Sequence, residues 1–222
     1  MHTGDVAVTP AFQVSGVRYA YGAQQALTLD HCQLERGASL ALLGQSGSGK
    51  STLLNLLAGL LRPTCGSITV LGQDLSALQG AHMDRFRGQH LGLVFQRLHL
   101  IPALSVQDNL LLATRLARVP LDTARYDHLV NHLGLGDLTQ RRPAQLSVGQ
   151  AQRAAIARAL IHGPSLVLAD EPTSALDDQH AIAAVTLLRE ATKALGAALL
   201  VVTHDQRIRH ALDHDYQLAS VR

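Results

Sequence analysis

Three short stretches of the 222-residue chain carry residue types suited to phosphate chemistry. "GQSGSGKS", Gly44 to Ser51, follows a buried apolar run, Ser39 to Leu43, and opens the helical pattern "STLLNLLAGLL". Strand, glycine-rich loop and helix in that order form the context of a Walker A loop. The backbone of Gly44, Gln45, Ser46, Gly47, Ser48 and Gly49 can curl around an anion and direct N–H groups inward. Lys50 supplies a charge for the outer phosphates and Ser51 a hydroxyl for Mg2+; Thr52 is the next nucleotide-binding candidate. A glycine-rich turn that binds nothing would explain neither the Lys-Ser pair nor its position. "SLVLADEP", Ser165 to Pro172, places Asp170 at the carboxyl end of a second buried strand, where α/β sheets put their ligands. Asp170 is expected to hold the magnesium through water. Glu171 follows directly, so its side chain should point away from Asp170 and address an attacking water. In "QLSVGQAQRAAIARAL", Gln145 to Leu160, a helix-forming pattern is preceded by Ser147, Val148 and Gly149. A helix start with a small hydroxyl and a flexible backbone leaves N–H groups free for something to hold.

The elements that must position these residues are legible as patterns. "FQVSGVRYAY" and "ALTLDHCQL" alternate as half-buried strands do, whereas "SLALLG", "SLVLADEP" and "AALLVVTHD" contain continuous apolar runs typical of strands buried on both faces. The contrast predicts an α/β fold, a parallel core sheet with an antiparallel β fringe. Between about Ser105 and Gly163 only helices are read ("VQDNLLLATRLA", "ARYDHLVNHLG", "GQAQRAAIARALI"), which predicts a helical lobe inserted between two core strands. A further helix is expected from about Asp178 to Leu195. The division is a single domain over 1–222, with a core of 1–97 and 164–222 and a lobe of about 98–163.

Composition narrows the class. Lys+Arg 19 against Asp+Glu 17 is close to neutral, so no nucleic-acid partner is expected. The two cysteines, Cys32 and Cys65, lie far apart without metal spacing and read as free thiols of a reducing compartment. No leader and no apolar run long enough to cross a bilayer is read, so the chain is expected in the cytoplasm. His210 and His214 have helical i, i+4 spacing, but no acidic or cysteine partner converges on them in sequence, and no metal is assigned there.

With its motifs set in order, the chain resembles the ATP-binding cassette (ABC) family over nearly its full length. They are the Walker A loop, Gln96 in "LVFQ", "LSVGQ" at Leu146 to Gln150, "LVLADEP", "SALD" at Ser174 to Asp177, and His204 in "VVTHD". The resemblance implies a P-loop fold that binds ATP with Mg2+ and hydrolyses it. It also implies a head-to-tail homodimer in which the signature residues Ser147, Val148, Gly149 and Gln150 reach the ATP of the other subunit. By the same resemblance Gln96 senses metal and nucleotide, Asp177 lines the dimer seam, and His204 contacts the γ-phosphate and the attacking water, with Glu171 as general base. An aromatic residue upstream of Walker A stacks on the adenine; Tyr21 matches best and Tyr19 is its rival. Val148 departs from the commonest signature, which has glycine. A valine at positive φ would impair the site, but Ser147 can still cap the helix, and full competence is expected.

"HLGLVFQRLHLIPALSVQDNLLLA" resembles the corresponding segment of the lipoprotein-releasing, macrolide-export and cell-division cassettes. There the stretch after Gln96 receives a helix from an integral membrane permease. Here Leu98, Leu100, Ile101, Pro102, Leu104 and Val106 form a nearly apolar run that is either a docking region or lobe core. A chain ending at Arg222 is expected to lack an accessory C-terminal domain. The resemblance implies an ATPase subunit on the inner face of the cell membrane, attached through its permease and powering export or extraction of lipidic or amphipathic cargo. A regulatory cassette that transmits motion without cargo, and a soluble cassette, remain as alternatives.

Overall fold

A computed structural model of the chain describes residues 9–22, 24–174 and 178–219. In chain order it contains β1 (Phe12–Tyr21), β2 (Gln24–Leu34), β3 (Ser39–Leu43), α1 (Lys50–Leu57), β4 (Cys65–Val70) and β5 (Gln73–Asp74). Then follow α2 (Ala81–His90), β6 (Leu91–Val94), α3 (Val106–Ala117), α4 (Thr123–His132), α5 (Val148–Leu160) and β7 (Leu166–Asp170). The chain closes with α6 (Asp178–Ala194), β8 (Ala198–Thr203), a 3-10 helix at Gln206–Ala211 and β9 (His214–Gln217). Two sheets result, an antiparallel one ordered β2-β1-β4-β5 and a parallel one ordered β6-β7-β8-β3-β9. The α/β class and the antiparallel companion to a parallel core are as the sequence predicts.

Alternation explains why the core strands are apolar without a break. Leu40 and Leu42 of β3, Leu166 and Leu168 of β7, and Leu200 and Val202 of β8 pack with the antiparallel sheet and α1. Their neighbours Ala41, Leu43, Val167, Ala169, Leu199 and Val201 pack on the other face with α3, α4, α5 and α6. Successive side chains of a strand point to opposite faces, so a strand covered on both sides needs apolar residues at every position. Each large one contributes about 1.5–3 kcal/mol relative to exposure. Val106, Leu110, Leu129 and Ile156 of the three helices between β6 and β7 belong to the same cluster as Val167 and Val201. These helices therefore share the core of the sheet.

The remaining differences from the sequence reading are local. The apolar pattern of Ser51 to Leu61 stays helical only to Leu57; Gly59 takes φ 65°, and Leu60 beyond it is exposed. In α2 only Met83 is buried, so this helix has no apolar stripe to betray it. Cys32 is buried on β2 and Cys65 exposed on β4, and both are free thiols. Burial pushes the Cys32 thiol up to about 11.

A polar clasp fixes the far end of the parallel sheet. Asp213, just before edge strand β9, accepts the Ser39 backbone N–H at 2.9 Å and the Ser39 hydroxyl at 2.7 Å, and it pairs with Arg189 of α6. Those Ser39 and Arg189 bonds hold its carboxyl below the ordinary value of 3.8, against an opposing effect of burial. A depressed carboxylate contributes stability above its unfolded pKa and loses it as the pH falls through its folded pKa. Asp213→Ala is expected to lower stability by about 1 kcal/mol at neutral pH. In urea unfolding, the gap from the parent chain should close below pH 3.8, as the pH falls through the lowered folded value.

Candidate active site

Register in the parallel sheet brings the phosphate-type motifs to one edge. Leu43 lies opposite Thr203 and Asp170 opposite Val202, so the loops that follow β3, β7 and β8 leave the sheet together. Helix α1 begins at Lys50 behind Gly49, with no side-chain cap and no acidic residue in its first turn. Its leading N–H groups thus have no side-chain acceptor, and the positive end of the helix dipole faces the loop. Gly49 has φ 94°, and a Cβ there would lie 2.5 Å from the Ala26 carbonyl oxygen; Gly47 has φ 79° and open space beside it. Gly44 packs so closely on Ser48 that a Cβ would come within 2.5 Å of the Ser48 hydroxyl, a buried oxygen with no hydrogen-bond partner. Lys50 is 6 % exposed and donates to the carbonyls of Gly44 at 2.8 Å and Gln45 at 2.9 Å. Within the loop the Ser48 N–H donates to the Gln45 carbonyl at 3.2 Å, and a cationic side chain spanning such a glycine-rich loop at a helix start is a cradle for a polyphosphate.

Two carboxylates close the other side. The Ser51 hydroxyl donates to Asp170 Oδ1 at 3.1 Å. Burial is the largest influence on Asp170 and pushes its carboxyl up; the Ser51 bond and Lys50 pull it down, and neighbouring Glu171 raises it further. A half-buried carboxylate beside a hydroxyl forms an oxygen donor pair, the chemistry that suits Mg2+. Glu171 leaves the strand at φ 44°, in the left-handed region, with its N–H on the Val202 carbonyl at 2.8 Å. Its carboxylate accepts from the Thr203 hydroxyl at 2.7 Å and the His204 N–H at 3.1 Å, and lies 2.8 Å from His204 Nδ1. Lys50 Nζ stands 3.9 Å from the same carboxylate. Asp170 and Glu171 thus diverge, one toward Ser51 and the other toward His204.

A cavity of about 990 Å3 opens beside these groups, though Ser48 and Asp170 are not among the residues that line it. It is lined by Tyr21, Gly44, Gln45, Ser46, Gly47, Gly49, Lys50, Ser51, Thr52, Gln96, Glu171 and His204. The sequence singled out all of these; it missed Gln24, Gln25, Ala26, Gln206 and Gln217, which also line the cavity. Glutamines at strand ends carry no distinctive signal, and only the position of Gln24 and Gln25 just after Tyr21 hinted at them. The tyrosines separate: Tyr21 is 54 % exposed at the cavity, whereas Tyr19 packs against the core. Their rings meet edge-on with centroids 4.9 Å apart.

The signature residues stand elsewhere, and none of them lines the cavity. Ser147 caps α5: its hydroxyl accepts the Gln150 N–H at 3.3 Å while the Gln150 side chain accepts the Ser147 N–H at 2.9 Å, a capping box. Val148 is the first helical residue, 60 % exposed and without positive φ, so the conformation that valine resists is not required here. A Cβ on Gly149 would meet nothing within 4 Å. Further along α5, Gln152 donates to the Pro172 carbonyl at 2.5 Å, tying the signature helix to the loop after Glu171. Asp177 lies outside the described residues. His210 falls in the 3-10 helix and His214 on β9, so their helical spacing is not realised.

In the apolar run after Gln96, Val106 alone is fully buried; Leu98, Leu100 and Leu104 are half-buried, and Ile101 and Pro102 are exposed. Carbonyl contacts hold it: Arg158 donates to Leu98 and His99, and Asn109 to Ile101 and Ser105. The run is therefore divided, with Ile101 and Pro102 at the surface and the leucines partly covered, and it is posed by buried Asn109 and half-buried Arg158.

Residues 27–174 match the family described as ABC transporter. The lipoprotein-releasing system ATP-binding protein LolD of Anaeromyxobacter dehalogenans is 45% identical over 221 residues, covering 96% of this chain and 92% of that protein. The macrolide export ATP-binding/permease protein MacB of Rhodopseudomonas palustris is 43% identical over 177 residues, covering 79% of this chain and 27% of that longer protein. Among solved structures, the dimeric post-hydrolysis state of the ATP-binding cassette MJ0796 bound to ADP and Pi superposes with a TM-score of 0.81. That cassette is 31% identical, with 93% of this chain and 94% of the other covered.

The cradle depends on a glycine at its rear wall. Gly49→Ala should lose about 1–3 kcal/mol of stability through a positive φ and a backbone clash. A lower melting temperature together with weaker retention of ATP is the expected outcome.

Proposed function

The chain belongs to the ABC transporter family, and from that premise we propose how its own residues bind and hydrolyse ATP for a membrane-bound permease. It is an ATPase, the ATP-binding subunit of a transporter, working as a dimer of cassettes. The carrying observation is the meeting of Lys50, Ser51 and the Glu171–His204 pair in one cavity at the carboxyl edge of the parallel sheet, with Asp170 held by the Ser51 hydroxyl. Gly44 to Thr52 would hold the phosphates through backbone N–H groups, with Lys50 turned toward the outer ones. Ser51, Gln96 and, through water, Asp170 would hold Mg2+, which when bound supplies charge neutralisation at the phosphates. Tyr21 offers its exposed ring to the adenine.

Glu171 is proposed as the general base, with His204 beside it to orient the attacking water and the γ-phosphate. The signature works from outside the cavity. Ser147, Val148, Gly149 and Gln150 form a helix start whose free side matches a phosphate held by a second copy. One helix terminus is worth about 0.3–1 kcal/mol, or up to about 2 when partly buried. Two termini and a lysine on one triphosphate give more once water is expelled, so ATP joins two cassettes and loss of the γ-phosphate releases them. Asp177 belongs to the proposed seam. In this reading the division at 98 and 163 separates a lobe that receives the permease from the core that holds ATP, and the posed surface from Leu98 to Leu104 supports a docking role.

Among the described residues no helix is long and apolar enough to cross a membrane. Attachment to the inner face of the cell membrane is proposed to run through the permease. The relatives named for lipoprotein release and macrolide export support a lipidic or amphipathic cargo.

Glu171→Gln is expected to lower turnover by about two to four orders of magnitude while ATP binding persists; near-normal turnover refutes the assignment. Val148→Gly should leave turnover within a few-fold of the parent, and a many-fold gain would show that valine impairs the signature. A pull-down of tagged Glu171→Gln from native membranes with ATP should bring down a polytopic partner. Recovery from the soluble fraction alone would overturn the transport reading.

A further inference from the structure

Thr203 ends β8 wholly buried, at 0 % exposure, in a position that a third valine after Val201 and Val202 would fill with the same volume and equal strand preference. Its hydroxyl makes one bond as acceptor and one as donor. It accepts the Asp205 backbone N–H at 3.0 Å and donates to Glu171 Oε2 at 2.7 Å. Because the Asp205 N–H can only donate, the single hydroxyl proton is directed at the carboxylate. Glu171 needs such an anchor. Its backbone sits at φ 44°, a conformation a non-glycine residue keeps only when its surroundings enforce it. Its other oxygen, Oε1, is the one that faces His204 at 2.8 Å and Lys50 at 3.9 Å.

We infer that Thr203 is a positioning residue for Glu171: its hydroxyl pins Oε2 so that Oε1 is presented to His204, Lys50 and the reacting groups. The inference rests on the reading of Glu171 as general base. A carboxylate held at one oxygen keeps a single rotamer, and a base that must meet a water within hydrogen-bond reach loses rate when it wanders. Without the hydroxyl, Oε2 keeps only the 3.4 Å contact with the His204 backbone N–H and the carboxylate is less firmly placed, while ATP is still bound by the Walker A loop that follows another strand.

The test is steady-state ATP hydrolysis by the full chain, with thermal melting alongside. Thr203→Val removes the hydroxyl and keeps the shape; kcat should fall roughly ten- to thirtyfold, as loss of a hydrogen bond to a charged group does. KM for ATP should stay within about twofold, because binding is untouched. Thr203→Ser restores the hydroxyl and should recover most of kcat. Added to Glu171→Gln, Thr203→Val should cause no further loss, since the two act through one group. Parental kcat in Thr203→Val, an equal fall in Thr203→Ser, or an additive loss with Glu171→Gln would each overturn the inference. Near-parental turnover in Glu171→Gln alone would instead sink the reading of Glu171 itself.

Discussion

In the parallel ladder Leu43 stands opposite Thr203, and Asp170 opposite Val202. The phosphate loop, Glu171 and His204 take their place from that pairing, because the three strands run out at one level and their next residues are Gly44, Glu171 and His204. The register is held by burial. Each of β3, β7 and β8 sends alternate side chains into two different apolar clusters, so a slip by one residue would exchange the two sets and bring the polar strand ends inside. The chemistry is thus positioned by leucines and valines that take no part in it.

At the strand ends the balance of charge is local. Lys50 is nearly buried, rests on two carbonyls of its own loop, and lies within ion-pair distance of Glu171. Asp170 is pushed toward its neutral form by burial and by Glu171, while Ser51 and Lys50 oppose that. In a poorly solvated site such groups interact far more strongly than in water. In the proposed site the lysine and the loop N–H groups would serve a polyphosphate and the Asp170 carboxylate a divalent cation, two ligands of opposite charge that suit the site as a pair.

Within one chain, helix α5 connects the two halves of the proposed composite site. Its first turn carries the signature, capped by Ser147 and Gln150, and two residues further on Gln152 grips the Pro172 carbonyl next to Glu171. In the proposed dimer, a partner's nucleotide at the start of α5 would sit on the same helix that bonds the loop after Glu171, the proposed base. Nearer the other end of the helix, Arg158 holds the carbonyls of Leu98 and His99 in the segment proposed to meet the permease. A rigid helix that touches signature, base loop and docking segment gives a physical route between them.

The sequence by itself determined the α/β class, the phosphate loop, the acid pair after the second apolar run and the start of α5. Each of these rests on short-range rules: apolar periodicity, glycine spacing, and a capping residue just before a helix. It left β4, β5, α2 and β9 unread, because these elements are short or lack an apolar face, and β4 and β9 are held by pairing to the distant strands β1 and β3. Only the tertiary structure separated Tyr21 from Tyr19, since both alternate on one strand and the difference lies in what covers each ring. Only it showed which parts of the apolar run after Gln96 are exposed, Ile101 and Pro102, and which are partly or fully covered, because buried and exposed apolar residues read alike until the helices around them are packed. The bond from Thr203 to Glu171 is of the same kind. It joins residues 32 positions apart that meet because two parallel strands end side by side.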